Sequence, residues 1–206
     1  GIGFGSTETS ENPFVQVAMS IPAREEGTPC MAQSSFDSSD DGWLVFGDAQ
    51  GTGAIPDHND SGGNPGGYVS AADDVAGGVW YWDAPGKYLG DQSCAYGKTL
   101  TFDLIQSATD NPFDANDVVL IGEGLTLVYD TAENPGTDWT SYQVTLAADA
   151  GWVKEGTSVA PTNPEMEGVL ANLQALRIRG EYRTGAATGA LDNANPPAGR
   201  AGFLSP

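Results

Sequence analysis

Three groups of side chains in this 206-residue chain have types and spacings that could do chemistry. The first is Val79-Trp80-Tyr81-Trp82-Asp83, which sets three large rings side by side. Successive side chains of an extended backbone point to opposite faces, so Trp80 and Trp82 share one side and Val79 and Tyr81 the other. Rings of about 150–250 Å² each serve a core more readily than a surface. Tyr81 is expected in the core beside Val79, which leaves Trp80 and Trp82 as the pair able to hold a sugar.

The second group is Arg177-Ile178-Arg179-Gly180-Glu181-Tyr182-Arg183, which holds three of the eight basic residues. Strand alternation puts Arg177, Arg179, Glu181 and Arg183 on one face. Arg177 and Arg179 are thereby candidates for an anionic polysaccharide. The chain's own carboxylates are closer, and favour an internal salt-bridge lattice. The third group is oxygen donors in "SSFDSSDDG", "AADD", "DANDVV" and "LDN", with "PDHNDSGG" as a weaker set. Calcium takes roughly six to eight such oxygens. Catalysis is poorly provided for: His58 is the single histidine, and no G-x-S-x-G elbow occurs.

These groups need elements to position them. "GWLVFGD", "GGYVSA", "GVWYWDA", "KTLTFDLIQS", "DVVLIGEG", "LTLVYDT", "TSYQVTL" and "ALRIRGEYR" read as strands separated by Gly, Asn and Pro turns. The spacing predicts an all-β jelly-roll sandwich of two antiparallel sheets. One short helix is expected near 164–174, capped by Thr162 or Asn163, with Val169, Leu170 and Leu173 as its apolar stripe. Residues 1–34 read as an extension holding a strand near 14–21, residues 35–193 as the domain, and residues 194–206 as a tail. In "FVQVAMSI", Val15, Val17, Met19 and Ile21 share an apolar face that something must cover.

Twenty-eight acidic residues against eight basic ones give a formal charge of −20, which repels nucleic acid and anionic membrane surfaces. Divalent cations or salt in an extracellular setting would relieve that repulsion. No apolar run approaches the ~18 residues of a membrane span, so no membrane insertion is expected. A chain opening on "GIGFGSTETS" is expected to be already processed. Cys30 and Cys94 are the only cysteines. An internal disulfide is expected, with two thiols or a link between subunits as the alternatives.

The segments "GGNPGGYVSA", "GVWYWDAPGKYLGDQSCAYGKTLTFDL", "DVVLIGEGLTLVYDT", "PGTDWTSYQVTL" and "ALRIRGEYRTG…LDN" carry a family resemblance. Over residues 35–193 the chain resembles the laminin IV (laminin B) domain, particularly its bacterial relatives. The resemblance implies a secreted jelly-roll module without catalytic activity, found in extracellular matrix or surface proteins and similar in shape to carbohydrate-binding modules. Such modules often tie an acid of the first strand to one ending the last through a structural Ca²⁺, which points to Asp37 and Asp192.

Two functions follow as expectations. One is a structural or adhesion protein that self-assembles into a filament or matrix by strand donation, through Phe14, Val15, Val17, Met19, Ile21, Phe203 and Leu204. The other is a module that binds extracellular polysaccharide through Trp80, Trp82, Arg177 and Arg179.

Overall fold

In the computed structural model, which describes residue 30 and residues 32–73 and 77–195, these patterns become two stacked antiparallel sheets. With strands numbered along the chain, one sheet runs β1 (Leu44–Phe46), β4 (Tyr81–Asp83), β10 (Leu173–Arg179), β6 (Val118–Gly122), β7 (Leu125–Tyr129), β9 (Val153–Lys154). The other runs β2 (Asp57–Gly63), β3 (Gly66–Asp73), β11 (Ala187–Asn195), β5 (Thr99–Gln106), β8 (Thr140–Thr145). Phe14, Val15, Val17, Met19, Ile21, Phe203 and Leu204 lie outside the described residues.

Alternation decides what each strand buries. Leu100, Phe102 and Leu104 of β5 turn inward against Val118 and Leu120 of β6 and Leu176 and Ile178 of β10, all in one buried cluster. Strands β2 and β9 are additions to the sequence reading, and β11 runs past Asp192, the acid expected to end the last strand, to Asn195. Strand β2 is "DHNDSGG", which periodicity assigns to a loop, yet Asp57, His58 and Asn59 pair with Ser70, Val69 and Tyr68 of β3. The body also reaches slightly past the expected limits, because Ser34 bridges Ala194 of β11.

The single α-helix among the described residues, α1 (Asn163–Ala171), starts at a capping box. The Thr162 hydroxyl accepts from Glu165 N, and the Glu165 carboxylate accepts from Thr162 N. Met166, Val169 and Leu170 are buried. The helix stops before the expected end near Gln174, since Leu173 and Leu176 are drawn into β10 opposite Gly122 and Leu120. Cys30 and Cys94 form a disulfide within one chain, their Cα atoms 5.6 Å apart.

Two glycines make room for Trp80. A Cβ on Gly180 would fall 2.0 Å from Trp80 Cζ3, and one on Gly189 would lie 3.1 Å from Trp80 Cζ2. Gly180→Ala is therefore expected to destabilise the domain by ~3 kcal/mol through overpacking. Gly86→Ala, with nothing within 4 Å of the added atom, stays within ~0.5 kcal/mol of the parent. Urea denaturation followed by tryptophan fluorescence distinguishes the two; equal midpoints would refute the packing argument.

Candidate functional site

The structure redistributes the expected ligand residues. Trp80 and Trp82 do share a side, their ring centres 4.9 Å apart, but that side is the core, where they are 1% and 0% exposed. They cannot grip a sugar. The half-buried residues are Val79 and Tyr81, on the face the sequence reading assigned to the core. Two flat, apolar indoles fill the space between the sheets better than a phenol that must keep its hydroxyl wet.

Arg179 is likewise interior, 1% exposed. Its Nη1 donates to Asp117 Oδ1 at 3.3 Å and Ala115 O at 3.0 Å, and Nη2 to Phe113 O at 2.7 Å. Phe113 and Tyr182 flank the guanidinium at 4.6 and 4.4 Å. Arg177 lies 3.4 Å over the Phe46 ring and donates to Asp83 Oδ1 at 2.9 Å. Arg183 pairs with Asp110. These arginines hold the protein's own carboxylates, so none is a free anion receptor. Strand β10 ends at Arg179, so Glu181 does not continue its face and is buried instead.

Asp37 and Asp192, far apart in sequence, meet at one turn. Asp192 has no exposed surface. Its Oδ2 accepts from Asn64 N at 2.5 Å and its Oδ1 from Asn193 N at 2.6 Å. Burial, then the neighbouring Asp103 and Asp37 charges, push its carboxyl up to about 6. Asp37 Oδ1 accepts from Gly67 N at 3.4 Å on the same turn. Among the described residues no three His, Cys, Asp or Glu side chains converge as ligands of one ion. The carboxylate oxygens at this turn already accept main-chain N–H groups, those of Asn64 and Asn193 at Asp192 and that of Gly67 at Asp37.

A second feature occupies the outer face of the five-stranded sheet. Ser70 of β3, Ala190 of β11 and Ile105 of β5 lie opposite one another in one row across three strands. They floor an open pocket of about 310 Å³. Tyr68 and Trp139 line it too, ring centres 5.5 Å apart and planes at 75°. Trp139 Nε1 donates to Gly62 O at 2.9 Å. Thr137, Ser107 and Thr188 add hydroxyls, and no charged residue lines the pocket. Sequence reasoning missed this aromatic pair, since Tyr68 and Trp139 belong to different runs and meet only through the sheet order. The weak signal was a lone tryptophan among polar turn residues in "PGTDWTSY".

Residues 81–196 match the laminin B (domain IV) family, more than half of the chain. This chain belongs to the laminin B family. Laminin subunit gamma-1 of Xenopus tropicalis is 35% identical over 108 residues, which cover 50% of this chain and 6% of that relative. The L4b domain of human laminin alpha-2 superposes with a TM-score of 0.56 at 15% identity, covering 65% of this chain and 80% of that one. A family 30 carbohydrate-binding module from a cellulosomal cellulase of Clostridium thermocellum gives 0.50 at 10% identity, covering 82% and 95%. At such identities these likenesses establish the sandwich fold alone. This laminin B domain spans less than a tenth of the length of the laminin gamma-1 chains it matches.

A buried acid group unrelated to the pocket gives the laminin B domain a pH dependence. Glu181, 7% exposed, is pushed up to about 7 by burial and by the Asp73 and Asp48 carboxylates beside it. The Trp80 main-chain N–H pulls the other way. The folded state keeps a proton that the unfolded chain, with its ordinary 4.5, releases, so stability falls as pH rises between about 4.5 and about 7. Asp192 acts in the same direction. Calcium-free thermal melts should show a higher midpoint near pH ~5 than near ~7.5, with Glu181→Gln flattening part of the slope. A midpoint that rises with pH through that window would refute this assignment.

Proposed function

We propose that this domain is a non-catalytic extracellular structural and adhesion module whose adhesive surface is the outer face of the five-stranded sheet. The observation that carries this reading is the open pocket walled by Tyr68 and Trp139. Its ligand is an extracellular polysaccharide. Aromatic rings offer apolar area to the C–H face of a sugar while nearby hydroxyls exchange hydrogen bonds with its rim. A lining without charge, in a chain of net −20, fits a neutral polymer better than an acidic one. The disulfide supports an oxidising, extracellular compartment. The carbohydrate-binding module of like fold supports the ligand class by analogy.

Calcium belongs to the same proposal. Asp37 and Asp192 would hold the ion against the turn between β2 and β3, and it would offset the repulsion among Asp37, Asp103 and Asp192. Self-association is a second reading, favoured by β8. This strand ends the sheet among the described residues, and "TSYQVT" carries neither charge nor proline to discourage an added strand. The alternating segment 14–21 of a second copy has the chemistry to pair there.

Gel retardation on neutral glucans, neutral galactans and a sulfated polymer tests the ligand. At least one neutral polymer should retard the protein, with Trp139→Ala and Tyr68→Ala each weakening retention about tenfold. Arg177→Ala should leave it unchanged. Failure on every polymer would remove the polysaccharide reading. A saturating calcium concentration should raise the melting midpoint by roughly 5–10 °C, and Asp37→Asn should shrink that rise; an unmoved midpoint would exclude the ion. Particle size with and without residues 1–29 decides self-association, which a monodisperse monomer in both cases would rule out.

A further inference from the structure

The two rings of the pocket stand edge to face, and that arrangement limits what they can hold. Tyr68 and Trp139 have ring centres 5.5 Å apart and planes at 75°. In such a pair the edge of one ring meets the face of the other, so the two offer no continuous flat surface. A sugar ring can stack on one of them and meets the second only at its margin. The wall behind them is closed. Trp139 Nε1 donates to Gly62 O, and a Cβ on Gly62 would lie 3.3 Å from Tyr68 Cε1, so the turn and both rings form a single barrier. The floor is short: Ser70, Ala190 and Ile105 sit on three neighbouring strands, a span of about 10 Å at the usual strand spacing. The volume, about 310 Å³, lies at the small end of the roughly 300–1,000 Å³ of ligand pockets. Ser107 Oγ accepts from Thr188 N at 2.9 Å, which leaves its proton to be donated to a sugar oxygen.

We propose that the pocket is a short subsite for a single hydrated polysaccharide chain: it seats about two consecutive sugar units at a bend in the chain and does not bind the flat surface of a packed, ordered polymer. The proposal deepens the polysaccharide reading given above and rests on it. A ribbon lying flat on the sheet needs rings in one plane, and here the second ring stands across its path. A ribbon running along β11 from Ala190 also meets the 62–67 turn, which Asn64 N holds down over Asp192. A chain that bends between residues escapes both obstacles. One sugar face rests on one ring, and the following residues turn away into solvent. Contact then stops growing after about the second unit, and so does affinity, because every further sugar stays in water. Packed chains present only flat faces, and their hydroxyls are already bonded to one another, so Ser107 and its neighbours gain nothing from them.

The test uses the whole chain, the neutral polymer that retards it, and that polymer's own oligosaccharides of one to six units, titrated by calorimetry. Affinity is expected to rise about tenfold from one unit to two and then to change by less than about twofold up to six. The same polymer in its insoluble, packed form should remove no protein from solution. Trp139→Ala should weaken binding of the disaccharide and of the soluble polymer by the same factor, about tenfold, as one short contact requires. Tyr68→Ala gives the same comparison if Trp139→Ala lowers the melting midpoint. Affinity still climbing about threefold per unit from three units to six, depletion by the packed polymer, or polymer binding that Trp139→Ala spares while disaccharide binding is lost overturns the proposal and leaves the polysaccharide reading standing. Absence of retention on every polymer instead defeats that reading, and this proposal falls with it.

Discussion

Asp192 lies in the middle strand of the five-stranded sheet with no exposed surface, and a carboxylate there is costly unless the protein satisfies it. Two main-chain N–H groups do so, those of Asn64 and Asn193. Bringing Asn64 that close requires the turn between β2 and β3 to fold down onto the sheet. The glycines of "GGNPGG" follow from this approach. Side chains at 63 and 66 would collide with Asp192 and Asp37, and one at 67 would fall 2.1 Å from Phe36 O. Turn geometry acts with them, since Gly62 and Gly66 also sit at φ +101 and +97.

The two outer faces of the sandwich use charge in opposite ways. On the six-stranded sheet, Arg177 and Arg179 are spent on Asp83 and Asp117, which lie beside them on the same sheet face or the adjoining loop. A buried pair such as Arg179–Asp117 secures local geometry more than it adds net stability, and its removal would strand a charge. The 113–117 loop is thereby tied to the end of β10. On the five-stranded sheet Asp103 and Asp192 are buried at the turn while Asp57 and Asp60 of β2 stay exposed, and the pocket beside the turn has an uncharged lining edged by aromatics.

How much of this was legible in the sequence depends on the range of the physics involved. Local rules succeeded locally: the Thr162–Glu165 capping box, the alternation that pairs Trp80 with Trp82, and most of the core strands. Which side of "VWYWD" faces inward was not local, because it depends on the opposing sheet and on Gly180 and Gly189 vacating space for Trp80. The helix end was lost to the competing pull of Leu173 and Leu176 into β10. Strand β2 escaped, and β11 was reached only through the resemblance, because their residues are polar, small or acidic, and pairing rather than periodicity makes them strands. Asp37 and Asp192 were brought together by family resemblance, and the turn they share emerged only from the fold. Tyr68 and Trp139 lie on β3 and just before β8, with β11 and β5 between those strands, so no window of sequence joins them.

The boundary of the family match bears on what membership can transmit. The matched segment, 81–196, carries β4 through β11 and therefore Asp103, Trp139, Asp192 and Asn193. Asp37, the 62–67 turn and Tyr68 lie upstream of it. The half that matches supplies eight of the eleven strands and the buried Asp103 and Asp192 that the covering turn contacts. The half that does not supplies the turn, one aromatic wall and one of the two candidate cation ligands. A domain could keep the matched half intact and still present a different surface, since a longer or shorter turn over Asp192 would move Gly62 and release Trp139. Kinship thus accounts for most of the sandwich, while residues 37–68 carry the parts of the proposed ligand surface that lie outside the match.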